Sequence, residues 1–202
     1  MKVNKYYKLS SFFISKVIIA LFFCFLLTPA YSLTGPTLII DKADRDASRA
    51  TVWNFGPMLK YKHVDGFNHF KGDMGLFGGH MAVGRVRDPM FGVMHVFGDI
   101  KNENYKLDMK ITGLTVERSV RNDPRVKWRL TAGWGEYNYI RRWSGQSEKK
   151  STFGFVEPQI VGLLPMNKNI ALEFGLGWTI ADDTSLEVDG VAINAELLFG
   201  KF

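Results

Sequence analysis

The chain of 202 residues has one cysteine, Cys24. A single thiol cannot form an internal disulfide framework and offers no partner for a thiolate metal cluster. Acidic residues are missing altogether from positions 1–32, where Lys2, Lys5, Lys8 and Lys16 stand. The formal net charge of +6 therefore belongs largely to the leader, since the remainder carries 22 basic and 20 acidic side chains. So small a surplus excludes a polyanion-binding surface, and nucleic acid with it. Also lacking, beyond the leader, is any apolar run of the ~20 residues that a membrane-spanning helix needs. What is abundant is apolar and aromatic: 46% hydrophobic and 14% aromatic residues, against 23% charged. That is a folded chain of about one domain, too aromatic for a coiled coil.

The N-terminus begins Met1-Lys2-Val3-Asn4-Lys5, runs through 11 apolar residues from Val17 to Leu27, and reaches small residues at Ala30 and Ser32. A basic stretch, a short apolar core and small residues make a signal peptide over residues 1–32. Cys24 lies inside the apolar core behind Phe22 and Phe23, where a lipid-attachment site would want small residues. Cleavage after Ser32 removes it, and an exported chain without thiols results. Residues 33–50 are an N-terminal periplasmic extension, a short helix or a tether, with Leu38-Ile39-Ile40 ahead of the charged run Asp41–Asp46.

From residue 51 onward the hydrophobic period is two. Trp53, Phe55, Leu59 and Tyr61 alternate with Asn54, Gly56, Lys60 and Lys62. Tyr105, Leu107, Met109 and Ile111 alternate with Lys106, Asp108, Lys110 and Thr112. The same pattern recurs from Val126 to Gly135, from Ile170 to Ile180 and from Val191 to Gly200. Turn-rich breaks at His63–Gly72, Arg87–Pro89, Asp99–Asn104, Ser119–Arg125, Arg142–Ser151, Pro165–Asn169 and Ala181–Gly190 divide the chain into eight strands. Strands of ~10 residues, one face apolar and the other charged or glycine, predict an all-β fold: an eight-stranded antiparallel transmembrane up-and-down β-barrel over 51–202. An even count puts both ends on the periplasmic side, with the longer breaks outside. Trp53, Trp128 and Phe199 then mark one interface, and Tyr61, Tyr139, Trp143 and Trp178 the other.

A signal peptide, eight alternating strands and the terminal Phe202 resemble the small monomeric outer-membrane barrels of Gram-negative bacteria. The resemblance covers residues 51–202 and is architectural. It implies a place in the cell outer membrane, contact with its lipid and lipopolysaccharide, and assembly by the barrel machinery through the last strand, Leu197 to Phe202. The terminal signal departs from the pattern, because twos counted back from Phe202 meet Gly200, Leu198 and Glu196. A fainter similarity, to the lipid A palmitoyltransferase family, rests on the proline-flanked stretch Pro158 to Pro165 and on Val93 to Asp99. It implies a catalytic acid at Asp99. The family's adjacent serine falls on Ile100, which cannot be a nucleophile, and its strand-one histidine falls near Asn54 or His63.

Four histidines carry the remaining chemistry. His63 and His69 flank the first outer break with Asp65 and Asp73, as a rim acid–base pair or as solvated loop polarity. If Arg87–Met90 closes a hairpin, residues whose numbers sum to about 177 pair, so His80 and His95 share the inward face. Two histidines without a third ligand point to a hydrogen-bonded pair, and no metal or cofactor is expected. The predicted lumen network comprises Lys60, Lys110, Asp108, Glu173, Glu196, His80 and His95, with Lys62, Lys106 and Arg129 on the same face. Eight strands leave an interior just wide enough for side chains to fill, so these charges are expected to pair as a plug. Arg141, Arg142, Lys149 and Lys150 form a basic rim that either meets lipopolysaccharide phosphates or is simply solvated. The expectation is a monomeric outer-membrane protein with a structural, surface or binding role. A lipid A-modifying enzyme using His63, His69 and Asp99, and a narrow anion-preferring channel, are the alternatives.

Overall fold

The computed structural model describes residues 51–66, 70–85, 88–101, 105–120, 123–141, 147–182 and 186–201. Residues 1–32, read above as a signal peptide, residues 33–50, read as an extension, and His69, Arg142, Trp143 and Phe202 lie outside them. Eight long strands appear: β1 (Thr51–Gly66), β2 (Phe70–Arg85), β3 (Met90–Lys101), β4 (Tyr105–Val120), β5 (Asp123–Arg141), β6 (Ser147–Pro165), β7 (Ile170–Ala181) and β9 (Gly190–Lys201). A two-residue strand, β8 (Leu186–Glu187), pairs with the end of β1 at Asp65 and Gly66.

Each long strand pairs antiparallel with its neighbour in the chain, and β9 returns to β1 through Phe55↔Phe199 and Tyr61↔Ile193. The sheet is therefore a closed eight-stranded barrel with no long free edge around its waist. Closure brings the first and last strands unusually near. A Cβ on Gly56 would stand 1.9 Å from the Leu197 carbonyl oxygen, and one on Gly200 would stand 2.1 Å from that of Trp53. Only glycine permits this approach.

The long strands run deeper into the breaks than alternation suggests. β1 and β2 are paired out to Gly66↔Phe70, and β5 and β6 out to Arg141↔Ser147. The connections shrink accordingly, to 67–69, 102–104 and 142–146 at the end where β1 finishes. We call that the upper end, and the end holding Trp53 and Lys201 the lower.

Because side chains alternate across a strand, register decides the face of every residue. On β1, β5, β7 and β9 the apolar partners of the alternation point outward: Phe55, Leu59, Trp134, Phe174, Leu176, Trp178 and Ile193 are all exposed, and Leu114 on β4 reaches 65%. Strand β4 corrects the sequence reading of its upper half. Leu107, Met109 and Ile111 are buried inside the barrel, and Lys106, Asp108 and Lys110 face out. The reason is the filling of the upper lumen. Met58, Val64, Met74, Leu76, Met94, Val96, Tyr137, Phe153 and Phe155 make a hydrophobic cluster there, and β4 supplies its share. Tyr139 joins the same cluster, so it is an interior residue rather than part of an outer aromatic band.

The β2–β3 hairpin also departs from expectation. The observed pairs, Phe77↔Phe97 through Val83↔Phe91, sum to 174. Three residues of slip is an odd number, which reverses the face of one histidine: His80 is buried inside, whereas His95 is exposed outside and meets the Thr112 hydroxyl at 2.8 Å.

Candidate functional site

Below the apolar cluster the lumen is ionic. β5 sends Arg129 inward at its middle, fully buried, and three carboxylates from three other strands converge on it. Glu117 of β4 accepts from Nε at 2.6 Å, while Glu196 of β9 and Glu173 of β7 accept from the two terminal nitrogens. Lys127, two residues along β5, lies 3.5 Å from Glu117 and 3.6 Å from Glu173. His80 of β2 closes the ring, with Nδ1 3.1 Å from Glu196 and Nε2 3.1 Å from Glu117. A guanidinium has five donors in a fixed plane, which suits it to bind several carboxylates at once.

A second knot sits beside the first. Glu157 of β6 accepts from the Lys60 ammonium, the Gln159 amide and the Thr179 hydroxyl. Gln159 in turn accepts from Asn194 at 2.8 Å. The buried charges among the described residues are Lys60, Lys62, Lys127 and Arg129 against Glu117, Glu157, Glu173 and Glu196. Four balance four. Single ions are expensive in such a site; Lys60, Lys127 and Arg129 are ion-paired, whereas the Lys62 ammonium has no hydrogen-bond partner among the described residues.

Of the network anticipated from sequence, Lys60, Glu173, Glu196 and His80 point into the lumen, with Lys62 and Arg129. Lys110, Asp108 and His95 do not; they stand on the exterior because of the β4 filling and the β2–β3 register just described. Sequence reasoning overlooked Glu117 and Glu157. Glu117 is in phase with Met109 and Ile111, so reading those residues as lipid-facing hid it. Glu157 lies in β6, where Phe153, Phe155 and Gln159 share its parity.

On the upper exterior, His63 Nδ1 lies 2.7 Å from Asp73 Oδ1 across the β1–β2 pair, both side chains being well exposed. The His63 hydrogen bond, helped by the Tyr61 hydroxyl, holds the Asp73 carboxyl below its usual range. No hydrogen bond or ion pair links this pair to Asp99 among the described residues; Asp99 sits on the exterior of β3 opposite Asp108. A His–Asp contact can position a base, but among the described residues no hydrogen bond joins it to a serine, threonine or cysteine nucleophile. Among the described residues no group of three His, Cys, Asp or Glu side chains is arranged to hold a metal ion.

No family model and no curated protein matches the chain. Solved structures do. Ail, the attachment invasion locus protein of Yersinia pestis, superimposes with a TM-score of 0.50 at 10% identity, over 74% of this chain and 97% of that one. Neisserial surface protein A follows at 0.49 and 15%, over 76% and 99%. The N-terminal β-barrel domain of Pseudomonas aeruginosa OprF gives 0.43 and 13%, over 74% and 96%. The likeness to Ail is one of fold: a small closed barrel of eight antiparallel strands.

Proposed function

We propose that this chain is an integral protein of the bacterial outer membrane, a sealed barrel with a structural or surface-binding role rather than a channel. The observation that carries the reading is its inverted polarity. Phe55, Phe91, Phe174, Trp134 and Trp178 face outward while Arg129, Lys60, Lys62 and four glutamates are buried within. Monomeric soluble proteins rarely expose contiguous apolar patches beyond a few hundred Å². Hydrocarbon is the medium that accepts such a wall, and a closed barrel is the β architecture that satisfies every backbone group inside it.

The lower end is periplasmic in this reading, since a signal peptide delivers the chain from that side. Exposed Trp53 and Trp178 then lie toward opposite interfaces, where amphipathic rings are favoured. Lipid and lipopolysaccharide are its immediate neighbours, the assembly machinery takes hold of β9, and the protein is a monomer. Cell fractionation tests the reading. The protein should sediment with outer membrane and migrate differently in heated and unheated detergent gels. Recovery in the soluble periplasm would refute it.

A further inference from the structure

On the upper exterior, strands β3 to β6 carry a polar tray directly above the apolar wall. Register sets it out in two rows: Lys110 beside Glu136, and above them Asp99, Asp108, Asn138 and Lys150 on four consecutive strands. These residues, together with Phe97, Ser151 and Thr152, line an open depression of about 750 Å³. With strands ~4.8 Å apart, four of them span roughly 14 Å, enough for two linked sugar rings.

The lining selects among ligands. A bare phosphate would meet three carboxylates, and a bare cation would meet two ammonium groups. Asp99 and Asp108 face each other directly, an unfavourable pairing that hydroxyl donors placed between them would relieve. Asp108 has Lys106 at 2.8 Å and Lys150 has Glu148 at 2.9 Å, but Lys110, Asp99 and Glu136 have no ion pair among the described residues. The Asn138 amide hydrogen-bonds the Glu148 carboxylate, and its Oδ1 acceptor, shielded from solvent, has no hydrogen-bond partner. A run of acceptors at Asp99, Asp108 and Asn138, flanked by the ammonium donors Lys150 and Lys110, suits a polyhydroxylated ligand. Immediately below, exposed Phe97, Trp134 and Leu114 continue the apolar wall.

From this continuity we infer that the tray binds the sugar headgroup of a glycolipid, whose acyl chains lie along the wall over Trp134 and Leu114. The inference rests on the membrane placement proposed above and names the lipid class that the exterior recognises. Full-length protein in phosphatidylcholine nanodiscs, doped with diglucosyl diacylglycerol or with phosphatidylglycerol and read by native mass spectrometry, tests it. The glucosyl lipid should be retained about tenfold better, the size expected from one or two added hydrogen bonds. The exposed pair Asp99→Ala and Glu136→Ala should abolish the preference while the protein still shifts on heating in detergent gels. Equal retention of both lipids, or a preference untouched by the substitutions, would overturn the site with the barrel reading intact. Competition by free maltose as strong as by the glycolipid would overturn the lipid as occupant. A protein that fails to enter nanodiscs would instead overturn the membrane placement on which the site depends.

Discussion

Arg129 is the residue on which the ionic half of the lumen turns. Its replacement by methionine fills similar space but leaves Glu117, Glu173 and Glu196 facing one another with only Lys127 and His80 nearby. Removing one partner of a buried pair costs about 3–5 kcal/mol, because the other stays buried and unpaired. Urea unfolding of Arg129→Met in lipid vesicles should show a loss of that size, and adding Glu173→Gln should recover part of it. A loss within experimental scatter would mean that the carboxylates carry no charge and the network is not ionic. On the exterior, Asp73 makes a smaller prediction. Its carboxyl is depressed chiefly by the His63 hydrogen bond, so the contact favours folding above the ordinary carboxylate pKa and ceases to do so as pH falls through the lowered value. Carbon-detected NMR titration should place Asp73 below 3.8 and return it upward in His63→Gln; an unchanged midpoint would show that the ring does not hold it. Arg129 and Glu173 are legible from parity alone, because polar residues at alternate positions of an apolar strand must face whatever the apolar ones do not. His95 is not, since its face depends on where the β2–β3 turn closes, and Arg87–Met90 allows more than one register.

At the scale of the strand, β4 shows why the rule that apolar means lipid fails. Its lower half obeys the rule, with Leu114 outside and Glu117 inside, while its upper half has Met109 inside and Lys110 outside. The backbone parity never changes, and no bulge intervenes before Ser119. What changes is the surroundings: in the membrane placement proposed above, the lower half passes hydrocarbon around an ionic lumen, and the upper half passes polar surroundings around an apolar one. A single period of two thus carries two opposite patterns, and sequence reading joined to either end alone assigns the other wrongly. Two substitutions on this strand separate the halves. Leu114→Arg should cost about 2–4 kcal/mol if it lies near the bilayer midplane. Lys110→Leu should leave stability within about 0.5 kcal/mol, as for a surface position, whereas loss of a lumen lysine would be far costlier. Both are read from refolding equilibria in vesicles. Similar large costs at the two positions would put Lys110 in the lumen after all.

For the whole molecule the consequence is a barrel closed twice over. Strand count and the apolar girth were legible because period-two alternation recurs in five runs and seven turn-rich breaks divide the chain into eight. The stacking of an apolar plug on an ionic one was not, since no single strand displays it. A surplus of lumen cations would demand hydration and give an anion path; with four buried cations against four buried anions among the described residues there is no such surplus. Above them, fifteen buried residues from Met58 to Val188, apolar but for the hydroxyls of Tyr137 and Tyr139, form a layer poorly suited to hold a water column. An ion would have to displace the Arg129 ring and then cross that layer, and either step alone is unfavourable. The purified protein in planar bilayers should therefore show no steady conductance. Thinning only the upper layer, as in Leu76→Ala with Met94→Ala, should still give none, because the ionic plug remains. Current should appear only when the upper thinning is joined to Arg129→Met. A steady anion-selective conductance in the unaltered protein, diminished by Lys60→Glu, would mean that the two layers part in the bilayer and that the barrel is a channel.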